Sequence, residues 1–258
     1  MDAFRRSVSN TITIARRELY AFFVSPVAYV VVFFQFAVCG YLFNLMCSAQ
    51  QPLEVYRDSM YGGGFPGVAP TLLFWLRFTS MIAFPAITMR LFAEERRSGT
   101  IEQLMCNPVR DIEVVLGKYL AGMGIFAVML LLSMIFPFWI HKYSQQEWGQ
   151  MLAGYLSFVG TGAVFMAVGL FVSSLTRSQV TAFLLSLGAL FLLWMIGWGA
   201  DKAQGTAIGQ FLQYVSLENA ADDLVNGILD VRAAAYYISL TAFFLFGTVR
   251  SLASTRAQ

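Results

Sequence analysis

The sequence predicts an all-α protein that crosses a membrane six times. Of its 258 residues, 58% are hydrophobic and 12% are charged, which is about half the charged fraction of an ordinary soluble domain. Apolar runs of about 20 residues, the length that a helix needs to cross a bilayer, recur along the chain. The predicted spans are residues 26–47, 71–90, 114–140, 154–174, 179–200 and 233–250. They leave no room for a soluble domain, so residues 1–258 are expected to form a single transmembrane domain.

The placement of Lys and Arg predicts that both termini lie in the cytoplasm, because basic residues favour the cytoplasmic side of short membrane loops. With that orientation, 12 of the 17 basic residues are cytoplasmic, four are external, and Arg77 lies inside the second span. Topology and contact with anionic lipids account for these charges. The net charge of +2 therefore indicates no nucleic-acid partner.

The first 25 residues predict an amphipathic helix along the cytoplasmic interface, ending near Ser25-Pro26. Its apolar residues recur at steps of three and four: Val8, Ile12, Ala15, Leu19 and Phe22. Arg16 and Arg17 occupy the other face. Two interpretations are open: a plain membrane anchor, or a connecting helix that also contacts a cytoplasmic partner.

Between the second and third spans lies a stretch with charges of both signs, residues 85–118. Thr100 followed by Gln103 forms a capping-box pattern, and Pro108 ends the helix that starts at Ile101, which gives about seven residues of helix, roughly 10 Å long. Gly99 permits the turn before it. A short charged helix between two spans is suited to transmit a push from the cytoplasm, although an ordinary polar loop has a similar composition.

Two further expectations concern the ends of the third and second spans. Asp111 is expected to cap the helix of the third span, with Glu113 in its first turn. Arg77 lies close to the outer end of the second span, where its side chain either extends to lipid headgroups or lines a substrate path. Pro85 is a candidate kink near the cytoplasmic end of that span.

The external stretch before the sixth span predicts a short amphipathic helix at the outer interface. Ser216 is placed to cap its start and Gly227 to end it. Its apolar residues recur at helical spacing, and its acidic residues Glu218, Asp222 and Asp223 are expected to face water.

The sequence contains no pattern typical of catalysis or metal binding. No nucleophile has a plausible base, and Cys39, Cys47 and Cys106 lack metal-ligand spacing. We therefore expect neither an enzyme nor a metal site. No Asp or Glu falls within the predicted spans, whereas proton- or sodium-coupled transporters usually need such groups. Energy for any transport is thus expected from another protein.

Three stretches resemble one known family. They are residues 16–30, residues 85–119 with the motifs MRLFAEERR, SGTIE, PV and GKY, and residues 216–237 with LDVR and YY. These are similar to type-2 ABC exporter permeases, and most similar to the permease subunit of gliding-motility-associated ABC transporters. The resemblance implies a bacterial cytoplasmic membrane and a pair of permease subunits, identical or related. It also implies two separate ATPase subunits, which would carry ATP and magnesium, so that no cofactor is expected on this chain.

The resemblance also implies which residues contact the ATPase. The implied coupling interface is Glu94, Glu95, Arg96, Arg97, Gly99, Thr100, Ile101, Glu102, Leu104, Met105 and Pro108, with Arg16, Arg17 and Glu18 on the connecting helix. Its charged residues would pair with the ATPase, and its apolar residues would fill a groove. ATP-driven closure would then tilt the first, second and fifth spans.

Three alternatives stay open at this point. The complex could transmit force to an extracytoplasmic partner without transport, which the gliding resemblance makes reasonable. The chain could be an autonomous channel or secondary transporter, or a scaffold that only holds other proteins. The sequence identifies no substrate.

Overall fold

All regular structure in the described part of the chain is helical. The computed structural model describes residues 2–48, 68–99, 110–143, 148–202, 206–225 and 231–256. The helices within these ranges are α1 (Asp2–Val24), α2 (Pro26–Ser48), α3 (Val68–Thr88), α4 (Ala93–Ser98), α5 (Asp111–Ser133), α6 (Ile135–Tyr143), α7 (Trp148–Leu175), α8 (Gln179–Lys202), α9 (Ala207–Val215), α10 (Leu217–Val225) and α11 (Val231–Arg256).

Six helical segments in these ranges are long and apolar enough to cross a membrane, which confirms the predicted number of spans. They contain α2, α3, α5 with α6, α7, α8 and α11. The third span is divided after Ser133, a break that the prediction missed. Pro137 has no N–H to donate to the carbonyl of Ser133, and the hydroxyl of Tyr155 donates to that carbonyl instead, at 2.9 Å.

The second and fourth spans form the centre of the bundle, since they are the most buried of the six. Small residues of α7 permit this close packing. A Cβ atom added at Gly162 would overlap the ring of Phe126 on α5, and one at Gly169 would overlap Thr88 on α3.

The contacts of α7 show that α3, α7 and α11 run in the same direction. Thr88 near the C-terminus of α3 lies against Gly169. Ser251 of α11 donates a hydrogen bond from its hydroxyl to the carbonyl of Ser174, at 3.4 Å. The C-termini of these three helices therefore share one end of the bundle, which we call the α4 end because α4 follows α3 there. Their N-termini share the opposite end, which we call the α10 end.

The stretch before the sixth span is two helices rather than the one predicted. Ser216 separates α9 from α10 and caps α10 as expected, since its hydroxyl accepts the N–H of Asn219 at 3.2 Å. The hydroxyl of Ser157 donates to the carbonyl of Ala221 at 3.3 Å. Ser157 lies nine residues, about 13 Å, from the start of α7 at Trp148, so α10 packs within the bundle. Gly227 and the side chains of Asp222 and Asp223 lie outside the described part.

Candidate functional site

A buried positive charge lies at the α4 end of the bundle, on Lys118 of α5. Its side chain is 1% exposed, and its Nζ lies 2.8 Å from Oε1 of Glu95 on α4 and 3.3 Å from Oε1 of Glu18 on α1. The ring of Phe92 lies beside the ammonium, with its centroid 5.2 Å from Nζ. We call Lys118, Glu18 and Glu95 the Lys118 cluster. A charge this deeply buried needs such partners, because removing them leaves it unpaired in an apolar environment.

Helix α1 reaches this cluster by packing along α5. Asn10, Ile14 and Glu18 follow at intervals of four and so lie on one face. The Nδ2 of Asn10 donates to Oε2 of Glu113 at 3.1 Å, and Ile14 fits against Gly117, where a Cβ atom would overlap it. The packed face of α1 therefore combines polar and apolar residues. Ile12 of the predicted apolar face is 57% exposed, and the position of α1 along the membrane interface stays a prediction.

The first turn of α5 also differs from the prediction. Asp111 was expected to cap this helix, but it is the first helical residue and Arg110 occupies the N-cap position. The carboxylate of Glu113 accepts the backbone N–H of Arg110 at 3.4 Å. An acid at the third helical position can satisfy the N-cap N–H in this way, and here it also binds Asn10.

Helix α4 is positioned by the end of α7. The hydroxyl oxygen of Ser173 accepts the backbone N–H groups of Phe92 and Ala93, at 3.3 and 3.2 Å. These donors at the start of α4 have no partner within the helix. Just before α4, the guanidinium of Arg90 donates to the hydroxyl of Ser25, at the junction of α1 and α2. Together with the contact between Glu95 and Lys118, these hydrogen bonds tie the short helix and the residues before it to three parts of the bundle.

The structure brings only part of the predicted coupling interface into this site. Glu95 and Glu18 belong to the Lys118 cluster, and Arg17 lies beside it, with its guanidinium 2.9 Å from Glu18 and 4.0 Å from Glu95. Glu94, Arg97 and Arg16 are exposed, and Arg96 is half-buried. Gly99 ends α4 with φ 72°, the turn expected of it. The remaining predicted residues, Thr100, Ile101, Glu102, Leu104, Met105 and Pro108, lie outside the described residues.

Sequence reasoning missed two residues that hold this site together. Lys118 follows the predicted interface by ten residues, and a lone Lys at the start of an apolar run is typical of a headgroup contact. The sequence signal that could have identified Lys118 was a pair of acidic residues on the same side of the membrane: Glu18 before the first span and Glu95 after the second. Ser173 carries no such signal, because its role depends on the tertiary approach of α4 to α7.

A second buried ion pair lies toward the α10 end. Arg77 of α3 is 4% exposed, and its Nη2 lies 3.3 Å from Oε1 of Glu218 on α10. The expectation that Glu218 faces water was therefore wrong, as was the interpretation that Arg77 extends to lipid headgroups. Glu218 can approach because Gly197 of α8 leaves room for it: a Cβ atom there would lie 3.1 Å from the Cβ of Glu218. A place for Arg77 in a substrate path stays a prediction.

Both sites join helices to one another, and neither has the arrangement of an active site. In the described ranges, no group of three or more His, Cys, Asp or Glu residues is placed to hold a metal ion. Cys39 is buried and has no disulfide partner. At the Lys118 cluster, α1 and α4 meet the start of a membrane-crossing helix.

The described part of the chain thus forms a helical membrane domain with six candidate spans and a short charged helix bound to one end. The comparison with protein families identifies its family: residues 12–254 match the model of the ABC-2 family transporter proteins, and the chain belongs to that family. It is thus a multi-pass membrane protein and the non-catalytic permease component of an ABC-2 type transporter. Permeases of this family generally pair with ABC ATPase subunits.

The chain is also similar to a curated eukaryotic protein, ABC transporter G family member 20 of Dictyostelium discoideum. The two are 23% identical over 144 residues, which is 54% of this chain and 19% of the relative. The match therefore spans about a fifth of that longer protein.

Proposed function

We propose that this permease converts the movement of a separate ATPase subunit into movement of its spans, through α4 and α1. The observation that carries the proposal is the buried ammonium of Lys118, bound to one carboxylate from each of these helices. Both helices are thereby coupled to the start of the third span. In this view Glu94, Arg97 and the 100–108 segment contact the ATPase, and Glu95 faces inward to pass the movement on.

The ties of α4 indicate which spans would move. Ser173 links the start of α4 to the fourth span, and Lys118 links it to the third. Arg90 links the adjoining segment to the junction before the first span, and α4 also packs against α8. A push on α4 would therefore reach the first, third, fourth and fifth spans directly and the second through the chain, a wider set than the resemblance implies.

The proposed assembly contains two permease subunits, this chain with a copy of itself or a related chain, and two ATPases that bind ATP and magnesium. Both termini and α4 would face the cytoplasm of a bacterium, and α1 would lie at the cytoplasmic surface of its inner membrane. The excess of Lys and Arg on that side supports this orientation. The residues shared with gliding-associated permeases support a function in that group, with export of a substrate as its activity.

A second candidate function is force transmission to an extracytoplasmic partner without transport. The observation that favours it is the connection between the two ends of α3. This helix leads into α4 at one end, and Arg77 in its first half binds Glu218 of α10. Movement of α3 would therefore shift α9 and α10, which would face the outside. ATP-dependent uptake or export in vesicles would exclude this alternative.

The experiment that tests the coupling proposal compares two adjacent acids with different exposure. The tagged chain is purified from its native membrane with its ATPase, and copurification and ATP hydrolysis are measured. Glu94→Lys should lower the amount of ATPase retained, since Glu94 is exposed. Glu95→Gln should retain the ATPase, but the rate of ATP hydrolysis should no longer depend on whether the permease is present. Lys202→Gln, an exposed residue at the α10 end of the bundle, is the control and should change neither. If the unmodified chain retains no ATPase under conditions that preserve other ABC complexes, the proposal is wrong.

A further inference from the structure

A polar cavity lies at the α10 end of the bundle, apart from the Lys118 cluster. It is bounded by α9, the start of α10 and the first two turns of α11, and its volume is about 640 Å³. Cavities of roughly 300 to 1,000 Å³ are large enough for small ligands. The polar side chains that line it include Gln210, Gln213, Tyr214, Asn219, Arg232 and Tyr236.

Two contacts hold the cavity wall in shape. The hydroxyl of Tyr236 donates to the carbonyl of Val215, which fixes the α9–α10 corner against α11. The hydroxyl of Ser216 caps α10. Glu218, which follows in sequence, turns away from the cavity to bind Arg77. Because of that turn, no carboxylate occurs among the described residues that line the cavity.

The chemistry of the lining selects a class of ligand. Arg232 supplies a guanidinium, which binds phosphate with two parallel hydrogen bonds. The carboxamides of Gln210, Gln213 and Asn219 each both donate and accept hydrogen bonds. Groups of that kind match hydroxyls, which also do both, whereas a bare phosphate only accepts. The set as a whole fits a phosphate ester that carries several hydroxyl groups.

The position of the cavity favours a lipid as the source of that group. Arg232 is the second residue of α11, so it lies at the boundary of the sixth span. That span is the least buried of the six, and Val231 and Ile238 are 80% and 69% exposed. Acyl chains could therefore lie along α11 while the headgroup enters the cavity. A guanidinium at the end of a span lies at the depth of the lipid phosphates and can bind one of them.

We infer that this cavity binds the polyol-phosphate headgroup of an anionic membrane lipid. The test uses the full-length chain in detergent, with native mass spectrometry to measure binding of three short-chain lipids. Phosphatidylglycerol carries a phosphate and a polyol, phosphatidic acid lacks the polyol, and phosphatidylethanolamine carries an amine instead. The unmodified chain should bind phosphatidylglycerol several-fold more tightly than phosphatidylethanolamine, which keeps the phosphate but replaces the hydroxyls with an ammonium.

Two variants test recognition of the phosphate and recognition of the polyol separately. Arg232→Gln should weaken phosphatidylglycerol and phosphatidic acid alike, by about tenfold. Gln213→Leu should weaken phosphatidylglycerol several-fold and leave phosphatidic acid unchanged, since Gln213 is assigned to the polyol. Both residues are exposed, so neither change should prevent folding. The matched control is Arg250→Gln, on the same helix but at the α4 end, which should leave all three affinities unchanged.

Two outcomes would overturn the inference. One is equal affinity of the unmodified chain and Arg232→Gln for phosphatidylglycerol. The other is competition by soluble glycerol phosphate as effective as that by the lipid, which would assign the cavity to a soluble polyol phosphate. None of these measurements requires an ATPase, so they do not depend on the proposed coupling function.

Discussion

The two ends of the bundle both contain a buried cation, but they neutralise it differently. At the α4 end, Lys118 binds two carboxylates from two separate helices. At the α10 end, the described ion pair of Arg77 joins it to one carboxylate, Glu218. Among the described contacts, the first arrangement joins three helices and the second joins two. Within the Lys118 cluster the acids outnumber the cation, so the α4 end can bind a further cation.

The excess acid at the α4 end is met from the surface. Arg17 is 63% exposed, and its guanidinium lies within 4.0 Å of both Glu18 and Glu95. An exposed cation next to a partly buried acid pair can exchange its partner at little cost, because exposed ion pairs contribute little stability. This difference suits the α4 end to a contact with another protein that forms and breaks, and the α10 end to a permanent contact between helices.

Removal of the cation at the α4 end should have the largest effect. Lys118→Met leaves two carboxylates close together in a buried site, and breaking a buried ion pair by removing one partner typically costs about 3–5 kcal/mol. We expect a loss near the top of that range in the free energy of unfolding, measured in detergent. The triple variant Glu18→Gln, Glu95→Gln, Lys118→Met removes all three charges and should recover most of the loss. A triple variant as unstable as the single one would show that the charges are not the cause.

Removal of the cation at the α10 end should cost less, because it leaves one carboxylate rather than two. Arg77→Met should lower the free energy of unfolding by about 3 kcal/mol, and Glu218 is 16% exposed, which allows some hydration. The companion variant Arg77→Met, Glu218→Gln should restore part of the stability. If Arg77→Met proves more destabilising than Lys118→Met, the proposed contrast between the two ends is incorrect.

A pair of glycines tests the same contrast without changing any charge. A Cβ atom at Gly117 would lie 2.7 Å from Cγ2 of Ile14 and 3.1 Å from a backbone oxygen of α1, so Gly117→Ala must push α1 away from Lys118. At Gly197 the nearest atom is the Ser216 hydroxyl, at 2.9 Å. Overpacking of this kind costs about 1–3 kcal/mol, and we expect the larger value at Gly117. Gly188→Ala is the control, since an added Cβ there meets nothing within 4 Å. Equal thermal unfolding midpoints for all three variants would contradict the close packing of α1 on α5.

The fold was predictable because each span has a local signature. A run of about 20 apolar residues identifies a membrane helix without knowledge of its neighbours, and all six were found. The break in the third span was missed, although Pro137 was visible, because a proline interrupts a membrane helix only where the freed carbonyl finds another partner. Tyr155 provides that partner from a different helix, and no local pattern reveals it.

The candidate site was predictable only in part, for the same physical reason. Exposed charges such as Glu94 and Arg97 could be identified from their position between two spans. The pairing of Lys118 with Glu18 and Glu95 joins residues 100 and 23 positions apart, and the Arg77 pair joins two helices that are distant in sequence. Opposite charges in apolar surroundings must find each other, but the sequence does not state which ones meet.

The smallest effect on stability is expected for Arg17→Gln, so this variant tests the function of Arg17 separately from folding. Arg17→Gln removes an exposed ion pair, which should change the free energy of unfolding by about 0.5 kcal/mol or less. Its effect on the ATPase should be larger if Arg17 exchanges its carboxylate partner when the ATPase binds, as the excess acid at the α4 end suggests. Copurification of the ATPase at increasing salt measures this, and Arg6→Gln is the matched control because Arg6 is exposed on the same helix and lies outside the implied interface. Retention that falls at lower salt for Arg17→Gln than for Arg6→Gln, with unchanged unfolding, would assign Arg17 to the partner contact. A loss of stability comparable to that of Gly117→Ala would instead make Arg17 a structural part of the Lys118 cluster.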